Sequence, residues 1–279
     1  MRANELANIT LLISLATVCQ PLLADPQAHY LANEGVMITH GEVKVLFDPL
    51  FDQSYDRYEM VPAEMEQDLF AGTPPFDGID AVFVSHHHGD HFAPASMLSF
   101  LKRRPDINLY APAQAVSALH DVAQPEDEVV FKRITGLAFE NGDEPITLTV
   151  GDLLIEAVRI PHSGWPQRMT DIENIAFRVT LDESISVLHL GDADPNPAHF
   201  LSNSDHWEGH EPNLALPPYW FFTSDGGQFI LAAYINPDHA IGIHVPSAMS
   251  DDPTDRPEEF NGFDLFTNPG ETREIRMAE

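Results

Sequence analysis

Ser85-His86-His87-His88-Gly89-Asp90-His91 packs five metal-capable side chains into seven consecutive positions. It grows out of Ile79–Ser85 (IDAVFVS), a short apolar run typical of a buried strand. Pro94–Arg104 follows and reads as a helix. Met97, Leu98 and Leu101 share one face of it, and Arg103 and Arg104 suit its C-terminal end. In an extended chain His86 and His88 project to the same side and can grip one ion. Gly89 lets the loop turn sharply, so Asp90 and His91 can reach a second ion beside the first. His87 then points away. A solvated histidine loop that binds metal nonspecifically is the competing account. Strand, glycine and helix around the cluster frame it as a built site requires.

The remaining chain reads as strands interleaved with helices. Val36–His40 and Val43–Asp48 are strands around Gly41, and Pro62–Phe70 is a short helix broken by Thr73-Pro74-Pro75. Asn108–Ala111 is a strand and Ala113–Val122 a helix. Strand patterns then dominate: Ile146–Val150, Leu153–Ile160, Asn174–Leu181 and Ile185–Leu190. Pro195–Leu201 is helical, Phe229–Ile235 is apolar and of either type, and Ala240–Val245 is a last strand. This interleaving predicts a layered α/β domain. No linker interrupts it, so residues 25–279 are expected to form one domain.

Ile9–Cys19 is apolar, with Arg2 before it and Leu22-Leu23-Ala24 after it. Eleven residues are too few to cross a bilayer, which takes about 20. The pattern is that of a secretory signal peptide over residues 1–24, cleaved before Asp25. The alternative is a buried N-terminal helix. Export would make the protein periplasmic or secreted; without a signal it would be cytoplasmic. Cys19 is the single cysteine, so no intrachain disulfide and no cysteine-rich zinc finger can form. If the segment is cleaved, Cys19 leaves with it and a metal site must use His, Asp or Glu. The chain carries 44 acidic against 14 basic residues, a net charge of −30. That balance repels phosphate backbones and anionic lipids, so neither nucleic acid nor stable membrane insertion is expected.

The spacing H-x-H-x-D-H of His86, His88, Asp90 and His91 resembles the signature of the metallo-β-lactamase superfamily. Later residues fit the same pattern. Asp48 in Phe47-Asp48-Pro49 matches its early acidic residue, and His162 in Ile160-Pro161-His162-Ser163-Gly164 its third histidine. Asp192 in His189-Leu190-Gly191-Asp192 matches its bridging carboxylate, and His244 in Ile243-His244-Val245 its last histidine. Within the superfamily the chain is similar to the group of ascorbate-6-phosphate lactonases and N-acylphosphatidylethanolamine phospholipases D, along Tyr30–Val36, Lys44–Leu50 and Val187–Pro195. Taken alone, His162 could be a loop histidine, Asp192 a turn residue and His244 a core residue.

The resemblance implies a four-layer αββα sandwich with a site at one edge and two metals, zinc first, with iron or manganese as alternatives. His86, His88 and His162 would hold one ion. Asp90, His91 and His244 would hold the other, and Asp192 would bridge. Asp90 and Asp192 would be the carboxylates that serve the reaction. Asp48 would orient a ligand rather than bind metal, and His189 would support the site. The implied activity is hydrolysis of an ester, lactone or phosphodiester in a small or lipid-like substrate. A mononuclear iron oxygenase of the same fold and a non-catalytic exported metal-binding protein are the alternatives. His206 and His210, in a polar loop, are expected to be exposed. Pro217–Phe222 (PPYWFF) is expected to pack in the core, with an acyl pocket as the alternative.

Overall fold

The computed structural model describes residues 25–276. The expected signal segment 1–24, with Cys19, lies outside the described residues, as do 277–279.

Alternation along the first strands decides what forms the centre. In β1 (Gln27–Ala32), β2 (Gly35–His40) and β3 (Val43–Phe47) successive side chains point to opposite faces. Tyr30, Val36, Ile38, Val45 and Phe47 enter one cluster, whereas Leu31, Met37 and Leu46 enter another. These three strands pair antiparallel. β4 (Ala81–Phe83), β5 (Asn108–Pro112) and β6 (Ile134–Leu137) then extend the sheet in parallel from β3.

The second half repeats the scheme. β7 (Ile146–Val150), β8 (Leu153–Arg159), β9 (Ile175–Leu181) and β10 (Ile185–His189) form an antiparallel meander. β11 (Leu214–Leu216), β12 (His239–Gly242) and β13 (Asp264–Leu265) continue it in parallel. β14 (Thr272–Glu274) returns to the first sheet and pairs with β1. Two seven-stranded sheets result, ordered β14-β1-β2-β3-β4-β5-β6 and β13-β12-β11-β10-β9-β8-β7.

Parallel neighbours need crossovers, and these carry the helices. α1 (Ala63–Ala71), α2 (Pro94–Arg103) and α3 (Ala113–Val122) lay Leu69, Met97, Phe100, Leu101 and Leu119 on Leu31, Met37 and Leu46. α4 (Ala198–Leu201), α5 (Ser204–Glu208), α6 (Trp220–Thr223) and α7 (Asp225–Ile230) cover the second sheet. Phe200, Trp207, Phe221 and Ile230 there meet Val158, Ala176 and Leu188. Between the sheets Phe47 stacks on Phe83, which meets Phe177 at a tilt, with ring centroids 5.2 Å apart at each step. Removing one such ring costs about 3–5 kcal/mol. The layers are helix, sheet, sheet, helix, the αββα sandwich expected. No helix among the described residues is long and apolar enough to cross a membrane.

Some local expectations change. Ala240–Val245 ends as a strand at Gly242, and only the last part of Pro195–Leu201 is helical. The ambiguous Phe229–Ile235 closes α7 and continues as a wide π turn over Leu231–Ile235. His206 and His210 are half-buried rather than exposed. Their backbone carbonyls accept bonds from Arg178, which also grips Glu156 through two 2.8 Å contacts. Glu156 is held down at about pKa 2: burial opposes the charge, but His210 and Arg178 outweigh it.

Candidate metal centre

The segments that follow four strands meet at one edge of the sandwich. His86, His88, Asp90 and His91 follow β4, His162 follows β8, Asp192 follows β10 and His244 follows β12. Carboxyl ends of strands are where α/β sheets gather chemistry. The structure brings all seven residues together. Donor atoms of His86, His88, His162 and Asp192 lie within 4.8 Å of one another, and so do those of Asp90, His91 and His244. Asp192 touches both groups. Its Oδ2 lies 3.2 Å from His162 Nε2, while Oδ1 lies 3.1 Å from His244 Nε2 and 3.4 Å from His91 Nε2. Asp90 Oδ2 is 3.4 Å from the same His244 nitrogen. His87 belongs to neither group.

Backbone geometry aims these side chains. Gly191 has φ 54°, and a Cβ there would lie 2.4 Å from Asn174 Oδ1 and 2.6 Å from Ser85 Cβ. Only glycine fits so close a left-handed turn. Asn174 Oδ1 instead accepts the Asp192 N–H at 3.0 Å, which sets the direction of that carboxylate. Gly89 turns the loop as expected, with His91 N and Phe92 N both donating to His88 O, though its φ is not positive. Its lack of a side chain makes room for Gln53, whose Cγ would sit 2.6 Å from a Cβ. Thus the loop after Leu50 packs directly on the histidine loop, and Asp52 and Gln53 both donate backbone N–H to Gly89 O.

Ring tautomers follow from the partners behind the site. Asp48 is fully buried and accepts from Ser85 N at 2.7 Å, Ser85 Oγ at 2.5 Å and His91 Nδ1 at 2.9 Å. That bond puts the His91 proton on Nδ1 and turns Nε2 toward Asp192. His162 Nδ1 likewise donates to Ser163 O at 2.9 Å, which leaves Nε2 for the site. His86 Nε2 and His88 Nδ1 converge to 3.0 Å.

The charges sort the histidines into two kinds. Burial, then the nearby His91 and His162, hold His86 well below its usual pKa. Burial and His162 bring His88 down to about 4. For His91 burial opposes the charge, but Asp192, Asp48 and Glu34 raise it well above normal. His244 is raised to about 9 because Asp192 and Asp90 outweigh its burial. Asp192 stays well below the carboxylate range because His244, His91 and His162 overcome its desolvation. A proton between carboxylates at His91 and His244 thus marks where the bare ligand set calls for positive charge.

Several groups were not foreseen. Glu34 is completely buried, and neither carboxylate oxygen has a hydrogen-bond partner. Burial keeps it well above the usual carboxylate pKa. Its Oε2 lies 3.4 Å from His189 Nε2, and that nitrogen also meets Glu34 O at 3.1 Å. His189 therefore stands behind the site, stacked on Phe47. Asn33 Nδ2 donates to Asp90 O at 2.8 Å, and His244 N donates to Asn33 O at 2.9 Å. His244 itself is left-handed at φ 57°. Tyr58 meets its ring edge-on at 4.1 Å, and Trp220 at 5.3 Å. PPYWFF therefore divides: Phe221 and Phe222 pack in the core, while half-buried Trp220 faces His244.

The residues fit a metal pair. Nε2 of His91, His162 and His244 and Oδ1 of Asp192 are buried without a hydrogen-bond partner, although buried polar atoms are normally satisfied. Nitrogen and carboxylate donors without thiolate suit zinc, iron or manganese.

A family model described as a beta-lactamase superfamily domain matches residues 44–207. A UPF0173 metal-dependent hydrolase from Cupriavidus taiwanensis is 25% identical over 195 residues, 68% of this chain and 66% of the relative. The match therefore spans just under two thirds of that relative's length. The metallo-β-lactamase fold protein YhfI from Bacillus subtilis superposes with a TM-score of 0.57 at 18% identity, over 90% of this chain and 100% of that one. A possible metal-dependent hydrolase from Veillonella parvula gives 0.61 at 15% identity, over 90% and 100%. With the family match covering more than half its length and the same two-sheet architecture, this chain belongs to the beta-lactamase superfamily domain family.

Proposed function

We propose that the protein is a binuclear metal-dependent hydrolase, zinc being the first candidate, that cleaves an ester, lactone or phosphodiester in a small or lipid-like substrate. The carrying observation is Asp192, whose two oxygens face separate donor groups from opposite sides. A carboxylate so placed can share its charge between two ions. His86, His88 and His162 would hold one, and Asp90, His91 and His244 the other. When bound, such a pair makes hydroxide available at neutral pH, since zinc lowers the pKa of water from about 15.7 to about 7, and it polarises the bond under attack.

The chain's own residues supply orientation. Asp48 and Ser163 O fix the ring tautomers of His91 and His162. Asn174 aims Asp192, and Asn33 ties the Asp90 backbone to that of His244. The nearby serine, Ser85, is buried and donates to Asp48, so it is committed to structure rather than to nucleophilic attack.

The test is metal content by elemental analysis together with turnover on a panel of esters, lactones and phosphodiesters. Near two zinc ions per chain, reduced in Asp192→Ala along with at least a hundredfold loss of turnover, is the expected result. Full activity in that variant would remove the assignment. One iron per chain would favour the oxygenase instead.

A further inference from the structure

Arg57 stands beside the centre with most of its donors uncommitted. It closes a tight turn in which the N–H groups of Arg57 and Tyr58 both donate to Ser54 O. Tyr55 and Asp56 within that turn are both left-handed, at φ 50° and 53°. Consecutive non-glycine residues there are uncommon; another such pair, Asp182 and Glu183, closes the β9–β10 hairpin. The Arg57 turn is anchored to the segment after His244: Tyr58 bridges Pro246, and Ser247 N donates to Arg57 O at 2.8 Å. This anchoring presses the Tyr58 ring against His244 and places the Arg57 guanidinium carbon 5.4 Å from the Tyr58 ring centroid.

One N–H is spent: Arg57 Nη2 donates to Tyr219 Oη at 2.6 Å. Tyr219 packs on Trp220, which faces His244 from its own side. Acidic residues outnumber basic ones 44 to 14, and Lys44, Lys102, Arg159, Arg178 and Arg273 each pair with a carboxylate. Exposed Arg57 pairs with none among the described residues, as is true of Arg103, Lys132, Arg168 and Arg276, but it is Arg57 that packs on Tyr58 and Tyr219 next to His244. A chain of net charge −30 repels anions in general, so an anionic substrate needs a local cation to be received. A guanidinium held by an aromatic hydroxyl and a ring keeps its fork pre-oriented for an oxyanion.

We infer that Arg57, oriented by Tyr219, determines specificity by receiving a second, non-reacting carboxylate or phosphate of the substrate, while Tyr58 and Trp220 contact its apolar portion. This deepens the hydrolase reading above and rests on it. The substrate class is an amphiphilic organic anion.

The experiment is calorimetric binding of 4-phenylbutyrate, 4-phenylbutyl phosphate and neutral 4-phenylbutanol to the purified protein. The wild type is expected to bind at least one anion about tenfold more tightly than the alcohol, the scale of a charge-assisted fork. A preference confined to one anion names the group the substrate carries. Arg57→Ala should bring the anion-to-alcohol ratio near one. Arg57→Lys should keep part of it, and circular dichroism should show the variants folded. Equal binding of anion and alcohol by the wild type, or a ratio that survives in Arg57→Ala, would overturn the inference. The two readings fail separately. Turnover of neutral esters without anion preference removes the role of Arg57 alone. An Arg57-dependent preference in a zinc-loaded protein that hydrolyses nothing removes the hydrolase alone.

Discussion

Asp48→Asn should weaken one metal position selectively. The carboxylate accepts three donors: Ser85 N at 2.7 Å on Oδ1, and Ser85 Oγ at 2.5 Å and His91 Nδ1 at 2.9 Å on Oδ2. An amide offers one acceptor oxygen and one donor NH2. If the oxygen stays with the Ser85 N–H, the NH2 faces His91 Nδ1. That nitrogen must then accept, and its proton moves to Nε2, the atom pointed at Asp192. A ligand nitrogen is thereby blocked. The reverse orientation sets NH2 against a buried backbone N–H, an unpaired donor that costs about 1–3 kcal/mol. Loss of such a supporting carboxylate typically lowers metal affinity by about 10–100-fold, or about 1.4–2.7 kcal/mol. The assay is zinc titration against a chromophoric competitor, read as two binding steps. One step should weaken by that factor, while the step carried by His86, His88 and His162 moves by less than about threefold. Equal weakening of both steps, or no change in either, would refute the tautomer argument.

Two further outcomes follow from the same geometry. Gly191→Ala combines a left-handed residue with a Cβ inside contact distance of Asn174 and Ser85. It should cost about 2–4 kcal/mol from strain and overpacking, visible as a melting temperature lower by about 4–16 °C. An unchanged melting temperature would mean that the turn relaxes freely. The second concerns pH. His91, His244 and Glu34 all have folded pKa values raised above their ordinary ones. Such groups bind more protons when folded, so their stabilisation is lost as pH rises. For His244 the window runs from about its ordinary 6.5 to about 9. Urea midpoints of the chelator-treated protein should therefore fall between pH 6.5 and 9. A midpoint that holds or rises over that window would contradict the assignment of those protons.

Much of the fold could be read from periodicity alone. Helices at Pro94–Arg103 and Ala113–Val122 and the meander from Ile146 to His189 lie within a residue or two of expectation. The strands that escaped notice are those defined by distant partners. β1 (QAHYLA) lacks a clear apolar alternation and is fixed by β2 and by β14, where Gln27 faces Glu274. β11 and β13 are three and two residues long. The motif residues of the site were visible because their chemistry is concentrated in short spacings. Glu34 was not, because Asn33-Glu34-Gly35 between two apolar runs looks like a solvent-facing hairpin turn. Folding tucks that turn under His91, and no local pattern announces it. Arg57 and Tyr58 escaped for a related reason: their importance depends on a bridge to Pro246.

The duplicated layout of the sandwich has a kinetic consequence. Four of the donors stand on the loop after β4 in the first sheet, and the other three on loops of the second. An ion held by both would act as a removable cross-link between the two halves of the chain. Such a link forms only after the sheets have docked, so it would leave the refolding rate nearly untouched and slow unfolding instead. Metal supply would then govern how long each molecule survives proteases, independently of how fast new molecules mature.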